Sequence, residues 1–282
     1  MKIEHIGVIG AGTMGNGIAQ VCAMAGLQVV LIDISEESLR RGMEALAAGL
    51  ARSERKGVLT ARQKEEVYAR VRGGTSYADL REAQLVIETA TENPRVKFDI
   101  LRKVEELVSD TALIGSNTSS ISITQMASVL RRPERFIGLH FFNPVPSMAL
   151  VEVIRGLQTS DETHARTVAF AAAIGKTPIS VRNSPGFVVN RILCPMVNEA
   201  IFAVQENLGS VADIDTAMQI GGGHPIGPLS LADLIGLDVL LAIMEVLQTS
   251  FGDPKYRPAP LLREMVQAGR LGRKTGQGFF AY

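Results

Sequence analysis

The segment Gly138-Leu-His-Phe-Phe-Asn-Pro-Val-Pro146 sets His140 between an apolar run that reads as a strand and a proline-bracketed turn. Glu152 follows twelve residues after that histidine, on the next strand-like segment. Together they can place an imidazole at the mouth of a sheet with a carboxylate behind it. Imidazole titrates near neutral pH, so such a pair suits proton transfer. The same residues also fit a strand-end histidine satisfied by backbone, with Glu152 exposed. Spacing alone leaves both readings open.

A second constellation lies at the start of the chain. Gly10-Ala-Gly12-Thr-Met-Gly15 fits G-x-G-x-x-G, with Thr13 and Met14 between its last two glycines. The motif is weak alone, but here it follows a strand-like run and opens a helix-like one. Asp33 then ends the second strand-like run. In that setting the glycines permit a tight turn and close approach of a pyrophosphate, and the helix N-terminus offers free N–H groups. Asp33 can accept hydrogen bonds from the adenosine ribose, and its charge opposes a 2′-phosphate, so NAD(H) is favoured over NADP(H). FAD uses the same loop, but no second nucleotide-binding segment is evident. The bland alternative is a glycine turn with a solvated aspartate.

The elements that must position these residues follow from periodicity. Ile6–Ile9, Met14–Ala25 and Gln28–Ile32 form one βαβ unit, which implies a parallel sheet with helical crossovers. Ser35, followed by Glu36 and Glu37, reads as an N-cap, and Thr60-Ala-Arg-Gln63 as a capping box. With a turn at Lys56-Gly57, Ser35–Val71 reads as a helical hairpin, too long for a plain crossover. Further strands are predicted at Leu85–Glu88, Ala112–Ser116, Phe136–His140, Leu150–Ile154 and Thr177–Val181, with helices at Val96–Val108 and Asp161–Ile174. After Asn183-Ser-Pro-Gly186 the pattern turns helical: Phe187–Gln205, Val211–Ile220, Leu229–Phe251 and Leu261–Ala268. The prediction is a Rossmann-type α/β domain with a helical hairpin insertion over residues 1–184. An all-helical domain follows over 185–282.

Composition narrows the classes. Lys+Arg and Asp+Glu both total 29 in 282 residues, so nothing favours nucleic acid or a polybasic membrane surface. Cys22 and Cys194 are the only cysteines and lack metal-ligand spacing, which argues against a disulfide framework or a metal site. Thr111–Leu130 is uncharged and long enough to span a bilayer, but its many Ser, Thr and Asn residues speak against that. Met1-Lys-Ile-Glu-His5 leads straight into a strand without the form of a signal peptide. The expectation is a soluble protein of a reducing compartment, cytoplasmic, with no nucleic-acid or membrane partner.

Five segments then occur in order: Gly10–Gly15, Asn117-Thr-Ser-Ser120, Gly138–Pro146, Ser184-Pro-Gly-Phe-Val-Val-Asn-Arg191 and Arg273-Lys-Thr-Gly-Gln-Gly-Phe279. As a set they resemble the L-3-hydroxyacyl-CoA dehydrogenase family, especially its bacterial 3-hydroxybutyryl-CoA dehydrogenases, over essentially the whole chain. The resemblance implies NAD-dependent interconversion of a short-chain 3-hydroxyacyl-CoA and its 3-oxo form. His140 would be the acid/base and Glu152 its orienting carboxylate. It implies that Ser119 and Asn190 bind the substrate's 3-oxygen, where turn or cap roles are the bland alternative. Glu92, Lys97, Ser119, Asn143 and Lys274 take cofactor-lining positions by the same carry-over. The hairpin is where the family receives CoA, so Lys56 would meet a phosphate and Ser53 would add a hydroxyl. The family often has a serine seven positions before that lysine; here Gly49 stands there. The family's habit, with the apolar surface of the C-terminal helices, points to a homodimer through the second domain. Two other functions stay open: a dehydrogenase of a 3-hydroxy acid or sugar acid without CoA, and a non-catalytic NAD-binding protein.

Overall fold

The structure is a computed structural model and describes residues 3–282. Met1 and Lys2, where the expectation of no leader begins, lie outside the described residues. The chain forms two compact units, Met1–Asn183 and Ser184–Tyr282.

The first unit is built on one eight-stranded sheet. Its strands are β1 (His5–Ile9), β2 (Gln28–Ile32), β3 (Val71–Gly74), β4 (Leu85–Glu88), β5 (Leu113–Ser116), β6 (Phe136–Phe141), β7 (Leu150–Arg155) and β8 (Thr177–Arg182). Their order is β3-β2-β1-β4-β5-β6-β7-β8. The strands from β1 through β6 run parallel, β7 is antiparallel to β6, and β8 is parallel to β7. The central strands are buried along nearly their whole length because crossover helices cover the sheet, which is why they read as mainly apolar runs. Val8, Leu31, Ile87, Leu113, Leu139 and Val151 belong to its main core. Strand order reverses between β2 and β4 around β1, the crevice where open α/β sheets bind ligands.

The helices of this unit are α1 (Thr13–Met24), α2 (Glu36–Arg55), α3 (Ala61–Ala69), α4 (Pro94–Leu107), α5 (Ile123–Ala127) and α6 (Asp161–Ala173). Ser35 caps α2 through Ser38 N at 3.3 Å, and the Thr60–Gln63 capping box opens α3. The hairpin nevertheless differs from its reading as an insertion. Val71 is not helical but starts β3, which pairs with β2, so α2 and α3 together are the crossover between two neighbouring strands. Val71-Arg-Gly-Gly74 has one apolar residue and two glycines, too little pattern to announce a strand. The uncharged stretch at 111–130 folds as β5, a loop and α5. Among the described residues no helix is long and apolar enough to cross a membrane.

The second unit is helical: α7 (Val189–Gln205), α8 (Val211–Ile220), α9 (Pro228–Ile235), α10 (Leu237–Phe251) and α11 (Pro260–Gln267). Leu229–Phe251 is therefore two helices rather than one. Gly236 breaks them at φ +99°, a conformation that L side chains rarely adopt, while its N–H still donates to Ala232 O at 2.9 Å. Cys194, Val197, Ile201, Leu229, Leu240 and Met244 lie in its core.

Candidate active site

The twelve-residue spacing of His140 and Glu152 resolves into a cross-strand pair. The two residues are register partners on antiparallel β6 and β7, so their side chains share one face of the sheet. His140 Nδ1 and Glu152 Oε2 are 2.7 Å apart, and the Glu152 side chain is fully buried. A carboxylate can only accept, so Nδ1 supplies the hydrogen of this contact. The Phe142 ring packs on the imidazole, centroids 4.5 Å apart. Asn117 Oδ1 accepts from Phe141 N at 2.8 Å and ties the end of β6 to the loop after β5. Lys176 Nζ donates to Val145 O at 2.5 Å and Met148 O at 2.8 Å, pinning the β6–β7 turn, in which Asn143 is exposed. Burial lowers the Lys176 pKa below the usual lysine range.

The glycine loop closes the crevice beside β1. Gly10 has φ +97°, and a Cβ there would sit 2.7 Å from Ala90 Cα. A Cβ on Gly15 would collide with Gly10 O, whereas one on Gly12 would meet nothing within 4 Å. Two glycines are thus needed to fold the loop, and the third leaves open the space into which a pyrophosphate fits. Asp33 Oδ2 accepts from Ala11 N at 2.9 Å and its Oδ1 from Ser35 N at 3.2 Å, which fixes the carboxylate at the end of β2. Gly10, Gly12, Thr13 and Asp33 line one cavity of about 340 Å³, together with Asn16, Arg41 and Ala90. Met14 is the second residue of α1 and packs against the core. The residues therefore fit a dinucleotide.

A chain of polar contacts links the ends of β4 and β5. Lys97 is not at the surface: its ammonium meets Glu88 Oε2 at 2.5 Å and Ser116 Oγ at 3.4 Å, and its side chain is 2% exposed. Glu88 Oε1 also accepts from Ala90 N at 2.7 Å. Glu92, 3.9 Å from the same ammonium, accepts from Ser119 N at 2.7 Å, Ser119 Oγ at 3.1 Å and Thr118 Oγ1 at 2.8 Å. Glu92, Lys97 and Ser119 thus form one connected group. Glu88, which joins them, was legible only as an acid closing an apolar run.

Ser53 and Lys56 line a separate cavity of about 490 Å³ with Val58, Pro146, Ser147 and Lys176. The Ser53 hydroxyl donates to Gly49 O at 3.2 Å. At Gly49 a Cβ would run into Gln20 Oε1, so a serine at that position would displace the Gln20 side chain of α1. A larger cavity, about 790 Å³, opens at the N-terminal ends of β1 and β2, and none of the motif residues lines it. In the second unit, Asn190 is the second residue of α7, and Lys274 pairs with Asp238. Among the described residues no group of three or more His, Cys, Asp or Glu is placed to hold a metal.

A doubly wound sheet with a dinucleotide-shaped glycine loop at its switch point defines a Rossmann-type nucleotide-binding protein. Residues 5–184 match the family described as 3-hydroxyacyl-CoA dehydrogenase, NAD binding domain, and residues 186–282 match its C-terminal domain. The chain belongs to the 3-hydroxyacyl-CoA dehydrogenase family, and its first unit is that family's NAD-binding domain. It is 50% identical over 280 residues to the 3-hydroxybutyryl-CoA dehydrogenase of Bradyrhizobium diazoefficiens, covering 99% of this chain and 96% of that one. A probable 3-hydroxybutyryl-CoA dehydrogenase of Deinococcus radiodurans is 51% identical, covering 98% of this chain and 99% of its own. The crystal structure of (S)-3-hydroxybutyryl-CoA dehydrogenase PaaH1 from Ralstonia eutropha superposes with a TM-score of 0.97 at 58% identity, covering 100% of this chain and 99% of that one.

Proposed function

We propose that this enzyme interconverts a short-chain L-3-hydroxyacyl-CoA, 3-hydroxybutyryl-CoA, and its 3-oxo form, acetoacetyl-CoA, with NAD(H). The observation that carries this reading is the buried His140–Glu152 pair, 2.7 Å across β6 and β7, in a chain with a dinucleotide loop. NAD, when bound, accepts or returns the hydride of the substrate carbon. His140 takes the hydroxyl proton through Nε2 in oxidation and returns it in reduction. Glu152 holds the ring in one tautomer and stabilises the imidazolium as it forms. Asn190 donates to the substrate oxygen through its amide, and Ser119 does so by turning its hydroxyl away from Glu92; both stabilise the developing negative charge.

Gly10, Gly12, Thr13, Met14, Gly15 and Asp33 receive the cofactor's adenosine and pyrophosphate. Glu92, Lys97, Asn143 and Lys274 complete the cofactor site. Lys97 acts from within its buried ion pair, so its part is to hold Glu92 and the loop of Ser119 in place. Lys56 and Ser53 serve the CoA portion. The second unit supplies substrate binding and a homodimer interface, and the enzyme works in the cytoplasm.

The test is NADH oxidation by the purified protein with acetoacetyl-CoA, beside a free 3-oxo acid. Turnover with acetoacetyl-CoA is expected, and His140→Ala should lower kcat by about 10²–10⁴-fold, the usual worth of a positioned acid/base. Preference for the free acid would refute the CoA assignment. A near-normal kcat in His140→Ala would remove the histidine from the chemistry.

A further inference from the structure

Arg41 lines the glycine-loop cavity and has no part in the reaction described above. It lies on α2 one turn beyond Glu37, and its side chain reaches the cavity bounded by Gly12, Asn16 and Asp33. Its Nη1 donates to Glu37 Oε1 at 3.1 Å and its Nη2 to Ser38 Oγ at 3.3 Å. Asp33 and Arg41 are the two charged residues of the cavity lining.

Their chemistry is opposed. The Asp33 carboxylate is fixed by the Ala11 and Ser35 N–H groups, and an oxygen so placed accepts from ribose hydroxyls but repels a 2′-phosphate. A guanidinium does the reverse: its planar fork matches a phosphate and has no use for a hydroxyl that Asp33 already serves. The contacts that Arg41 makes to Glu37 and Ser38 are exposed ones. Its Glu37 partner is 67% exposed and Arg41 itself 62%, and a solvated pair of this kind yields readily to a stronger anion.

We propose that Arg41 is a second determinant of cofactor choice, a 2′-phosphate-binding group held in check by Asp33 and Glu37. The site therefore takes NADPH with reduced affinity rather than excluding it. This rests on the cofactor half of the proposed function and not on the acyl substrate.

Binary-complex titration of the full-length protein with NADH and with NADPH, followed by nicotinamide fluorescence without acyl substrate, tests it. Wild type should bind both, NADPH more weakly. Arg41→Met should raise the NADPH:NADH ratio of Kd by about tenfold, the scale of one charge-assisted hydrogen bond. Glu37→Gln should lower the same ratio several-fold. A ratio that Arg41→Met does not move, or a wild type that binds NADH and no NADPH, overturns the proposal. Failure of wild type to bind NADH would instead sink the cofactor reading itself, and the NADH arm of each variant reports that the fold is intact.

Discussion

His140 and Glu152 owe their meeting to the only antiparallel pairing in the sheet among the described strands. A parallel neighbour would have needed a crossover of a dozen or more residues, whereas a hairpin-like return sets the carboxylate opposite the imidazole within a short span. The acid's whole value depends on its charge and acceptor oxygen facing Nδ1. Glu152→Gln keeps the shape but lets the amide donate to Nδ1 and select the wrong tautomer. Steady-state kinetics should show kcat reduced on the order of 10²-fold or more with little change in the KM for NADH. A large loss of NADH affinity with kcat preserved would mean that Glu152 supports the fold rather than the reaction. The thiols give a contrasting case. Burial pushes Cys22 up to about 12, and burial likewise pushes Cys194 up to about 12. A thiolate is the reactive form, so at pH 8 neither should be alkylated by iodoacetamide in the native enzyme, while both should be after denaturation. Mass spectrometry of the intact protein reads this directly, and rapid native labelling of either cysteine would contradict its buried place.

At the level of elements, legibility followed how much each element depends on its own pattern. Gln28–Ile32 and Val211–Ile220 can be bounded to the residue, because a turn glycine or an N-cap serine stands beside a clear periodic run. The His140–Glu152 pair was legible as two segments, but their opposition across strands is a tertiary fact that spacing leaves open. Strand β3 was not legible, since Val71-Arg-Gly-Gly74 is recruited by the exposed edge of β2 rather than by any β-preference of its own. Lys97 carries the same lesson, for a lysine in a charged helix start reads as solvated until the buried Glu88 is seen beneath it. The α9–α10 break was missed because both flanks are strongly apolar and one glycine in such a run is usually tolerated. Here Gly236 is obligatory: its φ is +99°, and a Cβ would lie 3.1 Å from Asp238 Oδ1 and from Lys274 Nζ. Gly236→Ala should cost about 1–3 kcal/mol, the price of an L residue in such a conformation. Urea unfolding monitored by far-UV circular dichroism would measure it, and an unchanged midpoint would show that the two helices can join.

On the scale of the whole molecule, each unit has its own apolar core and leaves some large apolar side chains exposed. The first encloses its sheet with helices, and the strands supply its core. The second unit has a helical core, and Ile192, Leu208, Ile220, Leu234 and Val239 remain exposed outside it. Single exposed apolar residues need no explanation, but Leu234 and Val239 flank the Gly236 break from two successive helices. An isologous contact between two copies would remove such surface from water without a second kind of partner. Light scattering of the wild type should therefore give twice the chain mass. Leu234→Glu combined with Val239→Glu would set two carboxylates against their symmetry copies in a desolvated contact, and the mass should fall to that of one chain. Far-UV circular dichroism guards against simple unfolding and should match wild type. A wild type that scatters as a monomer, or a double variant that stays dimeric, would show that this surface is not the one that joins two copies.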